Sequence, residues 1–126
     1  MKARRTPQEK GRIGEELALD YLREQGYGIA EKNYRTPYGE VDIVARDGQT
    51  MVFVEVKTRS SSRFGTPFDA VDSRKQLHLC RAARAYLHCH GLAGTSARFD
   101  VISVELSRTD GGEPRITHLQ NAFDCG

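Results

Sequence analysis

Two carboxylates and a lysine in one short stretch carry the chemical signal of this sequence: Asp42, Glu55 and Lys57. Paired carboxylates suit a hard divalent cation such as Mg²⁺, which takes one or two of them together with waters and phosphate oxygens. A cation held there acidifies a bound water and polarises a phosphate. A lysine on the same face steadies the attacking hydroxide or the charge growing on phosphorus. The backbone carbonyl of Val56 lies between Glu55 and Lys57 and is a candidate extra ligand. Taken alone, Asp-x(12)-Glu-x-Lys is a weak pattern, because a charged, solvated sheet face would also produce it.

The elements around the three residues decide whether they meet. Met51 to Thr58 is the strongest strand signal, with Val52, Val54 and Val56 on one face and Phe53, Glu55 and Lys57 on the other. Glu40 to Arg46 is the preceding strand, with Val41, Ile43 and Ala45 expected on one face and Glu40, Asp42 and Val44 on the other. Asp47-Gly48 marks the turn between them. A two-residue loop sets Asp42 opposite Phe53. A four-residue loop, Asp47 to Thr50, pairs Arg46 with Met51 and sets Asp42 opposite Glu55. Both keep the three residues on one face, whereas a three-residue loop sends Asp42 to the other. The four-residue loop is favoured here. It places like charges side by side, which a bare sheet resists and a bound cation relieves.

Upstream, Thr6, Pro7 and Glu9 form a helix start, and the pattern runs to about Gln25 before Gly26. Ile13, Leu17, Leu19, Tyr21 and Leu22 sweep an apolar arc, and Glu15 falls inside it. A carboxylate there needs a partner or a site. Tyr27 to Arg35 is expected as an irregular first strand, followed by a turn at Thr36-Pro37-Tyr38-Gly39. Ser60 to Pro67 is a polar loop. A second helix is expected from about Ser73 to His90, with a stripe of Leu77, Cys80, Ala83, Tyr86 and Leu87. Arg98 to Leu106 is a fourth strand, Asp110-Gly111-Gly112 a turn, and Arg115 to Leu119 a short edge strand. Asp100, inside an apolar strand, is expected to pair with Arg98 or a helix base and to be structural. The order α-β-β-β-α-β plus a last strand predicts a mixed α/β (α+β) fold, its sheet covered by helices.

The bulk numbers set bounds. The 126 residues fit one domain over 1–126, with residues 1–6 a flexible basic N-terminus. No stretch approaches the roughly 20 apolar residues of a membrane span. The basic start lacks the apolar stretch of a signal peptide, so a cytoplasmic protein is expected. Formal net charge is only +2, so charge alone does not announce a nucleic-acid partner. The distribution is more suggestive, with one basic group around Lys2 to Arg12 and another from Lys57 to Arg84 that can track phosphates. Any single member is more simply solvated surface. Cys80, Cys89 and Cys125 make an odd count that argues against disulfides. His88-Cys89-His90 lacks the paired spacing of a zinc site.

Gly39-Glu40-Val41-Asp42-Ile43-Val44 with Phe53-Val54-Glu55-Val56-Lys57-Thr58-Arg59 resembles the PD-(D/E)xK nuclease superfamily. Together with Gly14-Glu15, Asn33-Tyr34-Arg35, Arg98-Phe99-Asp100-Val101 and Asn121-Ala122-Phe123, the chain closely resembles the YraN-type family, which is similar to archaeal Holliday-junction resolvases. The resemblance runs from about residue 8 to 123. It implies a restriction-endonuclease-like fold with an αβββαβ core. It implies hydrolysis of DNA phosphodiester bonds with Mg²⁺ or Mn²⁺, on branched or damaged DNA, by a protein that can act as a homodimer. Position by position, it makes Asp42 and Glu55 metal ligands, Lys57 the catalytic lysine and Glu15 the helix-borne acid that reaches the metal or its water. Val41 stands where the superfamily motif has proline. Arg35, Arg59, Arg63 and Lys75 are the candidates for contacts to the DNA phosphates. The rival expectation is a DNA-binding or assembly module that keeps the nuclease fold without efficient catalysis.

Overall fold

The computed structural model describes residues 5–60, 71–107 and 112–125. Its elements run α1 (Pro7–Glu24), β1 (Gly28–Thr36), β2 (Gly39–Asp47), β3 (Thr50–Arg59), α2 (Ser73–Cys89), β4 (Ala97–Glu105) and β5 (Arg115–Phe123). The strands form one sheet in the order β1-β2-β3-β4-β5. Only β3 and β4 are parallel. A parallel pair needs a crossover, and α2 lies in that connection. This is the expected mixed sheet flanked by two helices, with the αβββαβ order of restriction-endonuclease-like proteins and β5 added at an edge. Arg63, the polar loop beyond Ser60, most of the Asp110-Gly111-Gly112 turn and residues 1–4 lie outside the described residues.

Each helix covers one face. Under α1, Ala18, Leu19 and Leu22 pack on Ile43, Ala45, Val52, Val54, Ile102 and Val104. Under α2, Leu79, Cys80, Ala82, Ala83 and Tyr86 pack on Val41, Val44, Met51, Phe53 and Phe99. The α1 start follows its sequence: Thr6 Oγ1 accepts from the Glu9 amide at 3.1 Å and Pro7 follows the cap. For α2 the cap is Asp72, whose Oδ1 accepts from the Lys75 amide at 2.8 Å.

Several expectations need correction. Val41 does not share a face with Ile43 and Ala45. It packs with Val44 against α2, so strict alternation fails between Val41 and Ile43. In α2 the expected Cys80, Ala83 and Tyr86 are buried, but the stripe is wider on one side: Leu79 and Ala82 are also inside, while Leu77 is 48% exposed. The edge strand β5 is longer than expected, because it bulges opposite Phe99–Val101 and continues through Asn121 at φ 53°. That length carries Cys125 to α2. Cys80 and Cys125 are bonded despite the odd count, and Cys89 is left free and exposed.

One buried polar network braces the α1 face. Asp100, fully inside, accepts from Arg98 Nε at 3.1 Å, His118 Nε2 at 2.7 Å and the Asn121 amide at 3.0 Å. His118 Nδ1 meets the Tyr21 hydroxyl at 3.1 Å, which ties α1 to β5. Burial alone would raise the Asp100 pKa. The hydrogen bonds from His118 and Arg98 outweigh it and hold the carboxyl below its usual range. The expected structural role of Asp100 is what these contacts describe.

Close approach of α1 to β3 depends on a missing side chain. A Cβ at Gly14 would lie 2.8 Å from both Cβ and Cγ2 of Thr58, and nearer still to its hydroxyl. Gly11, one turn earlier, has open space around it. Gly14→Ala should therefore destabilise the protein by about 1–3 kcal/mol through overpacking. Gly11→Ala should stabilise it by about 1 kcal/mol through helix propensity. Denaturant midpoints of the two variants check the opposite signs.

Candidate active site

The β2–β3 register settles the question the turn left open. Pairing runs from Asp47↔Thr50 through Arg46↔Met51 to Ile43↔Val54. One step further along that register sets Asp42 level with Glu55. The backbone pairing ends at Ile43↔Val54, and a side chain takes over from the backbone. Asp42 Oδ2 accepts from the Val56 amide at 2.8 Å. The carboxylate thus fills an acceptor position at the end of the ladder, which keeps the amide satisfied where the strands part.

Glu15, Asp42, Glu55 and Val56 line a cleft of about 400 Å³, closed on one side by Lys10 and Gly11 of α1. Glu15 reaches it because Gly14 lets the helix sit low on β3. Lys75, in the first turn of α2, sets its ammonium 3.6 Å from Glu55 Oε2. That separation is an ion pair but too long for a hydrogen bond. Glu55 Oε2 is accordingly a buried oxygen with no hydrogen-bond partner. Lys57 is close enough for its charge to favour ionised Glu55, although it does not line the cleft. Arg35 and Arg59 do not line it either. Arg35 pairs in register with Glu40 on β1's exposed edge, and Arg59 ends β3 beside Glu105.

The electrostatics follow from crowding. Burial, and then the charge of Glu55, push Asp42 from 3.8 up to about 7. Burial also raises Glu55, against the lowering effect of Lys75. Glu15 is raised by burial and then by Asp42 and Glu40. The like charge of Glu15, Asp42 and Glu55 around one cleft is what a bound cation would offset.

Among the described residues, no three His, Cys, Asp or Glu side chains form a ready-made metal cage. The donor set suits Mg²⁺ or Mn²⁺ all the same. Two carboxylates completed by water, backbone and phosphate oxygens are the usual Mg²⁺ arrangement. The unpartnered Oε2 of Glu55 and the Asp42 carboxylate are the oxygens a cation would take. Val56, whose carbonyl is the expected extra ligand, belongs to the same cleft wall.

Asn33 enters the sequence reading only within the Asn33-Tyr34-Arg35 motif, beside the expected DNA path, and not as a partner of the acids. It sits in β1 between the pairs Lys32↔Ile43 and Tyr34↔Val41, so it is level with Asp42. Its φ is +50°, a left-handed backbone uncommon outside glycine and tolerated best by Asn and Asp. Holding it inside a strand costs about 1–3 kcal/mol. With the amide oriented to face its acceptors, its nitrogen donates to Glu15 Oε1 at 2.8 Å and Glu40 Oε1 at 2.9 Å. An asparagine among strand residues gives no sequence sign of that bend.

Because Asp42 binds its proton more tightly in the folded chain, it stabilises the fold fully below pH 3.8 and loses that contribution as pH rises through about 7. Above that, the folded state carries the penalty of a second buried charge. Asp42→Asn should raise the thermal midpoint at about pH 8, equivalent to at least about 1 kcal/mol, and change it little at about pH 4. Melting curves of the two proteins across that range check the sign.

A profile of the Uncharacterised protein family UPF0102 matches residues 14–104, which include Glu15, Asp42, Glu55 and Lys57. A UPF0102 protein of Moorella thermoacetica is 53% identical over 83% of this chain and 88% of its own length. One from Trichlorobacter lovleyi is 51% identical over 93% of this chain and 91% of its own. One from Geobacter sulfurreducens is 49% identical, with 88% and 85% covered. The profile match runs from the second half of α1 through α2 and most of β4, and on these matches the chain belongs to the UPF0102 family, the YraN-like family its motifs resemble.

Proposed function

We propose that this chain is a cytoplasmic, Mg²⁺- or Mn²⁺-dependent endonuclease or nickase that hydrolyses phosphodiester bonds in DNA, with branched or damaged DNA as its substrate class. The observation that carries the reading is the Asp42–Glu55 pair. Two carboxyls are brought level at the parting of two strands, with one buried oxygen lacking any hydrogen-bond partner. Such an arrangement weakens a fold unless it serves a ligand.

In this reading Asp42 and Glu55, with the Val56 carbonyl, hold the cation. The chemistry that cation supplies is acidification of water and polarisation of the scissile phosphate. Asp42, raised to about 7, would hold the cation in its deprotonated form. Glu15, across the cleft, is assigned to the cation or its water. Lys57 stabilises negative charge on the phosphorus oxygens. Lys75 favours ionised Glu55, 3.6 Å away, and is assigned to the backbone of a bound strand. Arg35, Arg59 and Arg63 are assigned to flanking phosphates. Among the described residues, no helix is long and apolar enough to cross a membrane. A homodimer would present two such clefts to two strands.

The test is cleavage of a DNA panel comprising duplex, single strand, flap and four-way junction, with Mg²⁺ and with Mn²⁺. Wild type should cleave only with metal. Asp42→Ala and Lys57→Ala, purified identically, should each lose about 100-fold or more in rate. Equal cleavage by wild type and variants would remove the site assignment. Salt-sensitive DNA binding without cleavage would leave a binding or assembly module instead.

A further inference from the structure

Glu15 stands in a position it would leave if it could. It is half-buried on an apolar arc of α1, and Asp42 and Glu40 both face it with like charge. A carboxylate so placed gains by swinging out to water. Among the described residues, the amide of Asn33 opposes this. Asn33 Nδ2 donates at 2.8 Å to Glu15 and at 2.9 Å to Glu40, so one nitrogen joins α1 to β2 beside Asp42. The left-handed turn of the backbone at Asn33, level with Asp42, comes at the residue whose amide makes that bridge. An ordinary extended residue in a strand does not need this conformation.

Resting on the nuclease reading, we infer that Asn33 is a positioning residue that holds the Glu15 carboxylate against the Asp42–Glu55 pair for metal-assisted hydrolysis. It touches neither substrate nor cation. It acts through Glu15, as hydrogen-bond partners behind metal-site carboxylates commonly do.

The backbone and the amide can be separated experimentally. Asn33→Gly keeps the left-handed conformation at no steric cost and removes the amide. Asn33→Asp keeps the side-chain shape and removes both donors. Both should fold, and Asn33→Gly should melt no lower than wild type. Calorimetric titration with Mn²⁺ alone should show affinity about 10-fold weaker in Asn33→Gly. On a cleaved DNA, kcat should fall about 10- to 100-fold with KM within about 2-fold. Glu15→Gln combined with Asn33→Gly should be no slower than Glu15→Gln alone, because the second change acts through a group already lost. Wild-type Mn²⁺ affinity in Asn33→Gly would overturn the proposal and leave Asn33 only its backbone role. Wild type that binds Mn²⁺ but cleaves no DNA would sink the nuclease reading. A weakened Mn²⁺ affinity in Asn33→Gly would still support the positioning role in that case.

Discussion

Like charge held at close range is the constraint around which this protein is arranged. A sheet normally keeps carboxylates apart on neighbouring strands, because facing like charges destabilise the pair. Here the β2–β3 register brings Asp42 level with Glu55. The hydrogen bond from the Val56 amide then pins Asp42 where the strands separate. The rest of the site serves that junction. Gly14 lowers α1 onto β3 so that Glu15 enters the cleft, Asn33 ties Glu15 in place, and α2 opens with Lys75 against Glu55.

Two kinds of buried carboxylate can be compared in the one molecule. Asp100 is fully inside, and both its oxygens are met by donors from Arg98, His118 and the Asn121 amide. Its pKa is lowered, and its charge joins β4 to β5 and, through His118 and Tyr21, to α1. Glu55 keeps a buried oxygen with no such partner, and the Asp42 beside it is pushed up to about 7. A satisfied charge holds structure together. A crowded, partly unsatisfied one stores unfavourable energy that a ligand can release.

What the sequence could disclose follows from how local each cause is. Capping by Thr6 and the α1 arc are set within a few residues, and both appear where the pattern put them. The β2–β3 register is local too, because a Gly48 turn joins two strongly patterned strands. Side-chain faces were misread where a distant partner decides. Val41 follows the bend of β2 toward α2, and Leu79 rather than Leu77 meets the sheet. The Cys80–Cys125 bond spans 45 residues and depends on the bulge that lengthens β5. Asp42, Glu55 and Glu15 could be picked out because carboxylates in apolar patterns are conspicuous. Asn33 stood out only as part of a motif, and its contact to Glu15 was not legible, because that depends on a left-handed backbone and on acids from two other elements.

The central claim is that the Asp42–Glu55 junction is built for a divalent cation. The most direct measurement is anomalous diffraction from a crystal of the wild-type chain grown with Mn²⁺ at about pH 8. The account predicts a strong peak bounded by the carboxylates of Asp42 and Glu55 and the carbonyl of Val56, and its loss in Asp42→Asn. No peak at that junction in fully occupied, Mn²⁺-saturated crystals, or one unchanged in Asp42→Asn, would contradict it.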